Sequence, residues 1–217
     1  MVDDSDAATQ AAHWQAVYAE KDPSTVSWFE ARPERSLRLI RDCPLAPHDA
    51  IIDVGAGASR LADCLLAAGY KRLTLVDIAA SALEVTRARL ATVGCAAELL
   101  VGDITHVQLP GRYRLWHDRA VFHFLTQAED QQAYRAQLFR SLEPGGWLVL
   151  AAFSADGPTQ CSGLPVRRYR VEEWDAFLGA EFTRETAAIE DHVTPGGRVQ
   201  SFLYARFRRR LPLLAAP

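Results

Sequence analysis

Apolar residues beyond about position 50 follow two alternating patterns. Short runs that are apolar throughout and rich in β-branched residues are typical of buried strands, whereas apolar residues three or four positions apart are typical of helices. Five strands are predicted in this way, at 50–54, 73–77, 97–103, 112–116 and 147–153. Because helical segments separate most of them, the pattern indicates a parallel sheet covered on both faces, with any ligand at the carboxyl ends of its strands.

The predicted helices have recognisable ends. SRLADCLLAAGY stops near Gly69 and SALEVTRARLATVG stops at Gly94, and glycine is the residue that most often closes a helix. The T-x-x-E pattern at 126–129 matches a capping box and predicts a helix that runs to about residue 142. Pro-Gly-Gly at 144–146 then predicts a turn into the fifth strand.

The two ends of the chain depart from this rhythm. Residues 185–194 and 199–208, joined by Pro-Gly-Gly, predict an antiparallel hairpin at the sheet edge. Two helical patterns in residues 1–45 are interpreted as a cap over the sheet. The predicted organisation is this cap, one domain over 46–210 and a tail over 211–217. Its fold class is α/β, a Rossmann-like, doubly wound, mostly parallel seven-stranded sheet that ends in an antiparallel hairpin.

Composition narrows the classes of partner. Lys and Arg number 24 against 27 Asp and Glu, and a net charge of −3 gives no general field that attracts nucleic acid. The acidic amino terminus does not resemble a signal peptide, and no window approaches the roughly 20 apolar residues that a spanning helix needs. We therefore expect a cytoplasmic protein with no membrane and no nucleic-acid partner. The four scattered cysteines form no C-x-x-C pair, so free thiols are expected rather than a zinc site.

The segment Asp53-Val-Gly55-Ala-Gly57-Ala-Ser59 leads from the first strand through a glycine turn into a helix. Such glycines permit positive φ and let a ligand approach the backbone closely, beside unpaired N–H groups of the helix. Asp77 ends the next strand, 20 residues after Gly57, where a carboxylate can accept hydrogen bonds from both ribose hydroxyls. Together these features predict a cofactor that contains a nucleoside.

The glycine turn does not fit a nicotinamide dinucleotide. The fingerprint of that class is G-x-G-x-x-G, and Arg60 occupies the position of its third glycine. The bulk of this side chain would hinder the close helix packing that glycine permits.

Four consecutive segments, IIDVGAGAS, LTLVDIAASALE, VGDI and LEPGGWLVL, resemble the motifs of class I S-adenosylmethionine-dependent methyltransferases over about residues 46–153. The terminal hairpin also suits that family. One departure is Ser59, which stands where the family often has a third glycine. The resemblance implies S-adenosylmethionine as cofactor and S-adenosylhomocysteine as product.

The resemblance also implies roles for individual residues. Asp53 would help to hold the methionyl end of the cofactor, Asp77 the ribose diol and Asp103 the adenine amino group. Ile78 and Ile104 directly follow two of these aspartates and could pack on the adenine faces. The predicted cofactor-binding set is Asp53, Gly55, Gly57, Ser59, Asp77, Ile78, Asp103, Ile104, Asp118 and Trp28.

The stretch WHDRAVFHF at 116–124 follows the fourth strand, so its polar residues are expected at the mouth of the cofactor site. We expect Asp118 to orient cofactor or substrate, and Arg119 to pair with Asp118 or reach another carboxylate; a structural salt bridge is the alternative. His117, Asp118 and His123 are candidate bases, so the predicted catalytic set is Asp118, His117, His123 and Arg119. No metal site is predicted, because the two histidines lack helical ligand spacing and a nearby second carboxylate.

Two further segments are candidates for the pocket walls. Trp14, Tyr18, Trp28 and Phe29 could close over a cationic sulfonium, with core packing as the alternative. The loop 154–170 is expected to shape the acceptor pocket, and its arginines at 167, 168 and 170 are either anion contacts or a solvated charge run.

The function predicted from these observations is methyl transfer from S-adenosylmethionine to an unidentified nucleophile. The mild net charge and the expected absence of an added recognition domain favour a small-molecule acceptor. Resemblance around Asp118 to small lysine methyltransferases keeps a protein acceptor as an alternative. A non-catalytic nucleoside-binding module is the alternative from another class.

Overall fold

The computed structural model describes residues 4–212, and their side chains from Thr9 onward. Five parallel strands form the centre of the sheet: β1 (Ala50–Val54), β2 (Arg72–Asp77), β3 (Glu98–Val101), β4 (Tyr113–Arg119) and β5 (Leu142–Phe153). Two short strands, β6 (Gln160–Cys161) and β7 (Leu164–Pro165), pair with each other. The hairpin strands β8 (Phe182–Val193) and β9 (Val199–Arg209) complete the main sheet in the order β3-β2-β1-β4-β5-β9-β8.

This topology confirms the predicted fold class. The β9 strand runs antiparallel to both β5 and β8, whereas the other five strands run parallel to one another. The strand order reverses between β1 and β4, and such a switch point leaves a crevice at the carboxyl ends of the strands.

Six helices are described: α1 (Asp4–Glu20), α2 (Glu34–Arg41), α3 (Leu61–Ala67), α4 (Ala80–Thr92), α5 (Ala128–Ser141) and α6 (Val171–Leu178). Strand alternation divides the core between two faces of the sheet. Leu115 belongs to the core beneath α2, α3 and α4, and its neighbour Trp116 belongs to the core beneath α5 and α6. Among the described residues, no helix is both long enough and apolar enough to cross a membrane.

Local details differ from the predictions at two places. The α5 helix begins at Ala128 with Gln127 at its N-cap and no side-chain cap, so the capping box expected at 126–129 does not form. The Pro-Gly-Gly turn is an irregularity inside β5, because the pairing with β4 passes from Leu142 directly to Trp147.

The loop after β5 is more ordered than expected, since β6 and β7 form a small hairpin within it. Its three arginines, at 167, 168 and 170, do not line the cavities described below. Arg167 contacts Glu173 at 2.9 Å and Gln131 at 3.1 Å, while Arg168 donates to the carbonyl oxygen of Gly157 at 3.4 Å. Of the predicted organisation, residues 1–3 of the cap and 213–217 of the tail lie outside the described residues.

Candidate active site

Two adjoining cavities lie at the carboxyl ends of the parallel strands. The larger measures about 810 Å³, part of it open to solvent, and is bordered by the ends of β1, β2 and β3 and by α1. The smaller measures about 560 Å³ and is bordered by the glycine turn, the end of β4 and the segment before α2. Tyr18, Trp28, Gly55 and Arg119 line both cavities. The larger is called the nucleoside cavity, after the ligand that the sequence predicts there, and the smaller is called the inner cavity.

The glycine turn requires its glycines. Gly55 and Gly57 have φ of +65° and +49°, a backbone region that side chains disfavour. A Cβ at Gly55 would stand 2.0 Å from a methyl of Val121, and one at Gly57 would stand 2.6 Å from the Tyr18 hydroxyl oxygen. The absence of side chains therefore keeps the turn open where both cavities meet.

The outer side of the turn is held by α4. The Thr86 hydroxyl donates to the carbonyl oxygen of Gly57 at 2.8 Å, and Arg89 donates to the carbonyl oxygens of Ala58 and Ser59 at 3.1 and 2.5 Å. The Ser59 hydroxyl accepts from the amide of Leu61 at 3.1 Å, which helps to start α3. The sequence prediction omitted Thr86 and Arg89, although their i, i+3 spacing places them on one helix face.

Asp77 ends β2 on the wall of the nucleoside cavity. Its two carboxylate oxygens accept from the amides of Gly57 and Ala79, at 2.9 and 2.8 Å. Burial raises the pKa of this carboxyl to about 6, while the hydrogen bonds from the two backbone amides lower it. A partly desolvated, fixed carboxylate beside a glycine turn is suited to bind hydroxyl groups.

The end of β3 contributes the opposite wall. Asp103 lines the nucleoside cavity, and its Oδ1 accepts from the amide and hydroxyl of Thr105 at 2.8 and 2.7 Å. Ile78 and Ile104 line the same cavity. The structure thus brings together two carboxylates and two apolar side chains that the sequence predicted as a nucleoside site.

Asp53, His117 and Ser36 form a buried hydrogen-bonded chain on the wall of the inner cavity. His117 Nδ1 lies 2.7 Å from Asp53 Oδ1, and its Nε2 lies 2.8 Å from the Ser36 hydroxyl. All three are buried, with exposures of 4%, 3% and 1% for Asp53, His117 and Ser36. The chain links α2 in the amino-terminal segment to β1 and β4. Sequence reasoning did not identify Ser36, whose role depends on contacts between distant segments.

Asp118 lies elsewhere, in the core beneath α5. It is 0% exposed, accepts from the Tyr134 hydroxyl at 2.7 Å and accepts from the amides of Val121 and Phe122 at 3.0 and 3.4 Å. Burial raises its pKa to about 6. Asp118 lines neither cavity, so it supports the loop after β4 from behind, in contrast to the expected position at the site mouth.

His123 also lies outside both cavities. Its ring is 0% exposed and packs between Phe124 and Phe153, with centroid distances of 4.5 and 4.7 Å. Burial, with a contribution from the charge of Arg119, lowers the pKa of His123 to about 3. The ring is therefore neutral at ordinary pH, and it does not reach a group bound in the cavities.

Arg119, the last residue of β4, lines both cavities. It does not pair with Asp118, because neighbouring residues on a strand point to opposite faces. Its Nε lies 3.2 Å from a Glu30 carboxylate oxygen and 3.0 Å from the Tyr204 hydroxyl, and its Nη1 donates to the Trp28 carbonyl oxygen at 3.1 Å. The next residue, Ala120, has φ of +71°, so a strained turn presents this segment to the cavity.

Aromatic residues of the amino-terminal segment cover the site. Trp14, Tyr18 and Trp28 line the nucleoside cavity, and Phe29 lines the inner one. The Trp28 indole donates to the Tyr18 hydroxyl at 3.2 Å, and Trp14 meets Trp28 edge to face at 5.6 Å. Cys161 lines the same nucleoside cavity, but burial raises the pKa of its thiol to about 11.

The parallel sheet, the glycine turn and the carboxylates at the strand ends together resemble a domain that binds a nucleoside-containing cofactor. Comparisons with known proteins narrow the class further. The sequence model of the family described as "Methyltransferase domain" matches residues 51–146. This match covers less than half of the chain, and it confirms the resemblance to class I S-adenosylmethionine-dependent methyltransferases.

Individual relatives and structures are similar over different extents. The ribosomal RNA small subunit methyltransferase C of Klebsiella pneumoniae is 35% identical over 113 residues, which are 50% of this chain and 33% of that protein. The chain therefore spans about a third of the length of this relative. A structure solved for the conversion of a disulfide bond into a thioacetal group during echinomycin biosynthesis has a TM-score of 0.76 at 17% identity, covering 94% and 93% of the two chains. The N-methyltransferase NodS of Bradyrhizobium japonicum, solved with S-adenosylhomocysteine, has a TM-score of 0.68 at 18% identity, covering 94% and 98%.

These relatives correct one prediction. The expectation of no nucleic-acid partner is wrong as an exclusion, because the matching curated proteins include methyltransferases of ribosomal RNA. The preference for a small-molecule acceptor, which depended in part on the same net charge of −3, is withdrawn with it. Net charge sums over the whole surface, whereas nucleic-acid contacts depend on where the basic groups lie.

Proposed function

We propose that this chain binds S-adenosylmethionine and transfers its methyl group to a nucleophile that enters beside Arg119. The observation that supports this most strongly is Asp77, whose carboxylate lies against the glycine turn at 2.9 Å from the Gly57 amide and lines the nucleoside cavity. A carboxylate in this position, next to a turn that excludes side chains, is suited to a ribose diol.

The residues present fit such a cofactor. Asp77 would hold the ribose, Asp103 the adenine amino group, and Ile78 and Ile104 the adenine faces. The inner cavity continues from Gly55 to Asp53, which would hold the amino-acid end.

When bound, the cofactor supplies a methyl group on a positively charged sulfur. The protein's contribution is to orient the nucleophile, to exclude water and to surround the transfer point with aromatic faces. Trp14 and Trp28 line the nucleoside cavity and would supply such faces. Of the four predicted catalytic residues, Arg119 and His117 border a cavity, and Asp118 and His123 border neither.

Calorimetric titration tests the cofactor. We expect S-adenosylhomocysteine and S-adenosylmethionine to bind, and NAD and NADP not to bind. Binding of a nicotinamide dinucleotide, with no binding of S-adenosylhomocysteine, would overturn the proposal.

Transfer is tested with S-adenosylmethionine that carries a labelled methyl group. The acceptor fractions are ribosomal RNA, total protein and small metabolites from one cell extract. We expect label in one fraction, and none with the Gly55→Ala variant. Binding of S-adenosylhomocysteine without label in any fraction would favour the non-catalytic nucleoside-binding module.

A further inference from the structure

Arg119 has a donor that the protein itself does not satisfy. Its side chain is only 10% exposed, and the Nη2 atom is buried without a hydrogen-bond partner among the described residues. Contacts to Glu30, Tyr204 and Trp28 involve Nε and Nη1. A buried donor left unpaired costs about 1–3 kcal/mol, so its presence in a binding site calls for an acceptor on a ligand.

Other arginines show that burial alone does not single out Arg119. Arg35 and Arg206 also have a buried Nε without a partner, yet neither lines a cavity. Arg119 borders both cavities at the wall that they share. Its guanidinium also stacks on the Phe202 ring, at 4.7 Å from the centroid, which fixes the plane of the group.

The charges around the cavities make Arg119 distinctive. The carboxylates that line them in the described part of the chain are Glu30, Asp53, Asp77 and Asp103. Arg119 is the one Lys or Arg side chain among those lining residues. Glu30 already lies 3.2 Å from its Nε, so an anionic group on a ligand would pair with the free Nη2 side of the guanidinium, and the other three carboxylates oppose such a group elsewhere in the site.

We propose that Arg119 binds a carboxylate group at the junction of the two cavities. Guanidinium N–H groups pair with carboxylate oxygens in a forked geometry, and Nη2 supplies the donors that are still free. The carboxylate has two sources: the amino-acid end of the cofactor, which rests on the proposed function, or a carboxylate on the acceptor.

The first arm of the test compares two nucleosides by calorimetry. S-adenosylhomocysteine has the amino-acid end, whereas 5′-methylthioadenosine has the same nucleoside and a thioether without it. If the cofactor is the source, Arg119→Gln weakens the binding of S-adenosylhomocysteine about 10- to 100-fold, which is the range for hydrogen bonds to charged groups. The affinity for methylthioadenosine stays within about 3-fold of the wild-type value. Arg119→Lys keeps the charge without the fork, and an intermediate loss is expected.

The second arm titrates benzoate into the complex with S-adenosylhomocysteine. If the acceptor is the source, benzoate binds the wild-type complex and not the Arg119→Gln complex, while S-adenosylhomocysteine affinity is unchanged. Arg206→Gln is the matched control, because Arg206 is similarly buried, at 14% side-chain exposure, and lies outside both cavities.

Two outcomes overturn the proposal. One is unchanged binding of all three ligands in Arg119→Gln and Arg119→Lys. The other is an equal loss of affinity for S-adenosylhomocysteine and for methylthioadenosine, which would show that Arg119 only maintains the shape of the site. If the wild type binds neither nucleoside, the proposed function fails separately, and benzoate titration of the free protein still tests the anion site.

Discussion

The ends of β1, β2 and β3 differ from the end of β4 in what their acidic residues do. Asp53, Asp77 and Asp103 all line a cavity, whereas Asp118 is buried against Tyr134 and two amides of the following turn. All four lie at or just beyond the carboxyl end of a strand. Position along the strand therefore brings a residue to the ligand edge, and the face of the sheet determines whether its side chain meets the ligand.

The two regions are also in direct contact. Gly55 in the turn after β1 lies against Val121 in the loop after β4, where an added Cβ would be 2.0 Å from a valine methyl. Asp118 holds that loop through the amides of Val121 and Phe122. The turn that would bind the cofactor consequently depends on the loop that Asp118 supports.

The largest effect is expected from a substitution at the contact between Gly55 and Val121. Gly55→Ala places a Cβ on Val121 and on a backbone with φ of +65°. Overpacking and positive φ together should lower the free energy of unfolding by about 2–5 kcal/mol and abolish S-adenosylhomocysteine binding. Denaturant unfolding and calorimetry measure both. Gly69→Ala is the control, because its φ is +95° but an added Cβ meets nothing within 4 Å. A Gly55→Ala protein as stable and as tightly binding as that control would contradict the contact.

Charge removal at Asp118 should have a pH-dependent effect on stability. The pKa of its carboxyl is raised from 3.8 to about 6 in the folded protein, so the folded state binds the proton more tightly than the unfolded state. The contribution of Asp118 to stability therefore declines as pH rises from about 4 to about 6 and is constant above that range. Relative to wild type, Asp118→Asn should gain up to about 3 kcal/mol over this interval.

Urea unfolding at pH 4 to 7 measures this difference, with Glu129→Gln as an exposed carboxylate control. The opposite trend, a variant that becomes relatively less stable as pH rises, would show that the ionised carboxylate is the favoured form in the core.

The smallest expected effect is at His123. Its ring lies between two phenylalanines, its Nε2 has no partner among the described residues, and burial lowers its pKa to about 3. His123→Phe removes the unpaired Nε2 and keeps an aromatic ring, but it also removes Nδ1, which accepts from the Phe153 amide at 3.4 Å. Stability should therefore fall by about 1 kcal/mol, and S-adenosylhomocysteine affinity should not change. Two results would instead indicate a direct role of His123 in the site. One is an NMR titration of His123 between pH 5 and 8 in the wild type, and the other is a loss of S-adenosylhomocysteine affinity in His123→Phe.

Much of this architecture was predictable from local sequence signals. The apolar runs predicted the strands. The glycine pattern after β1 and the carboxylate that ends β2 were predicted to belong to one site, and the structure has a hydrogen bond of 2.9 Å from the Gly57 amide to Asp77. The contacts of His117 with Asp53 and Ser36 were not predictable, because Ser36 lies 81 positions from His117 and local patterns do not encode such distances.

The position of Asp118 was partly accessible. In β4, Leu115, His117 and Arg119 alternate with Trp116 and Asp118, so one set must face away from the other. The sequence did not indicate which set faces the ligand. That choice follows from Trp116 and Tyr134, whose 2.9 Å hydrogen bond draws one face of β4 toward α5.

The central claim is that the acids of β1 to β3 bind the cofactor and the acid of β4 supports the scaffold. The most direct test is calorimetric titration of S-adenosylhomocysteine into Asp77→Asn and Asp118→Asn, with an unfolding midpoint for each protein. We predict that Asp77→Asn loses about 1.5–3 kcal/mol of binding free energy, as expected for a lost charged acceptor, while Asp118→Asn binds within about 3-fold of wild type and differs from it in stability. Unchanged affinity in a folded Asp77→Asn protein, with a large loss in Asp118→Asn, would contradict the account.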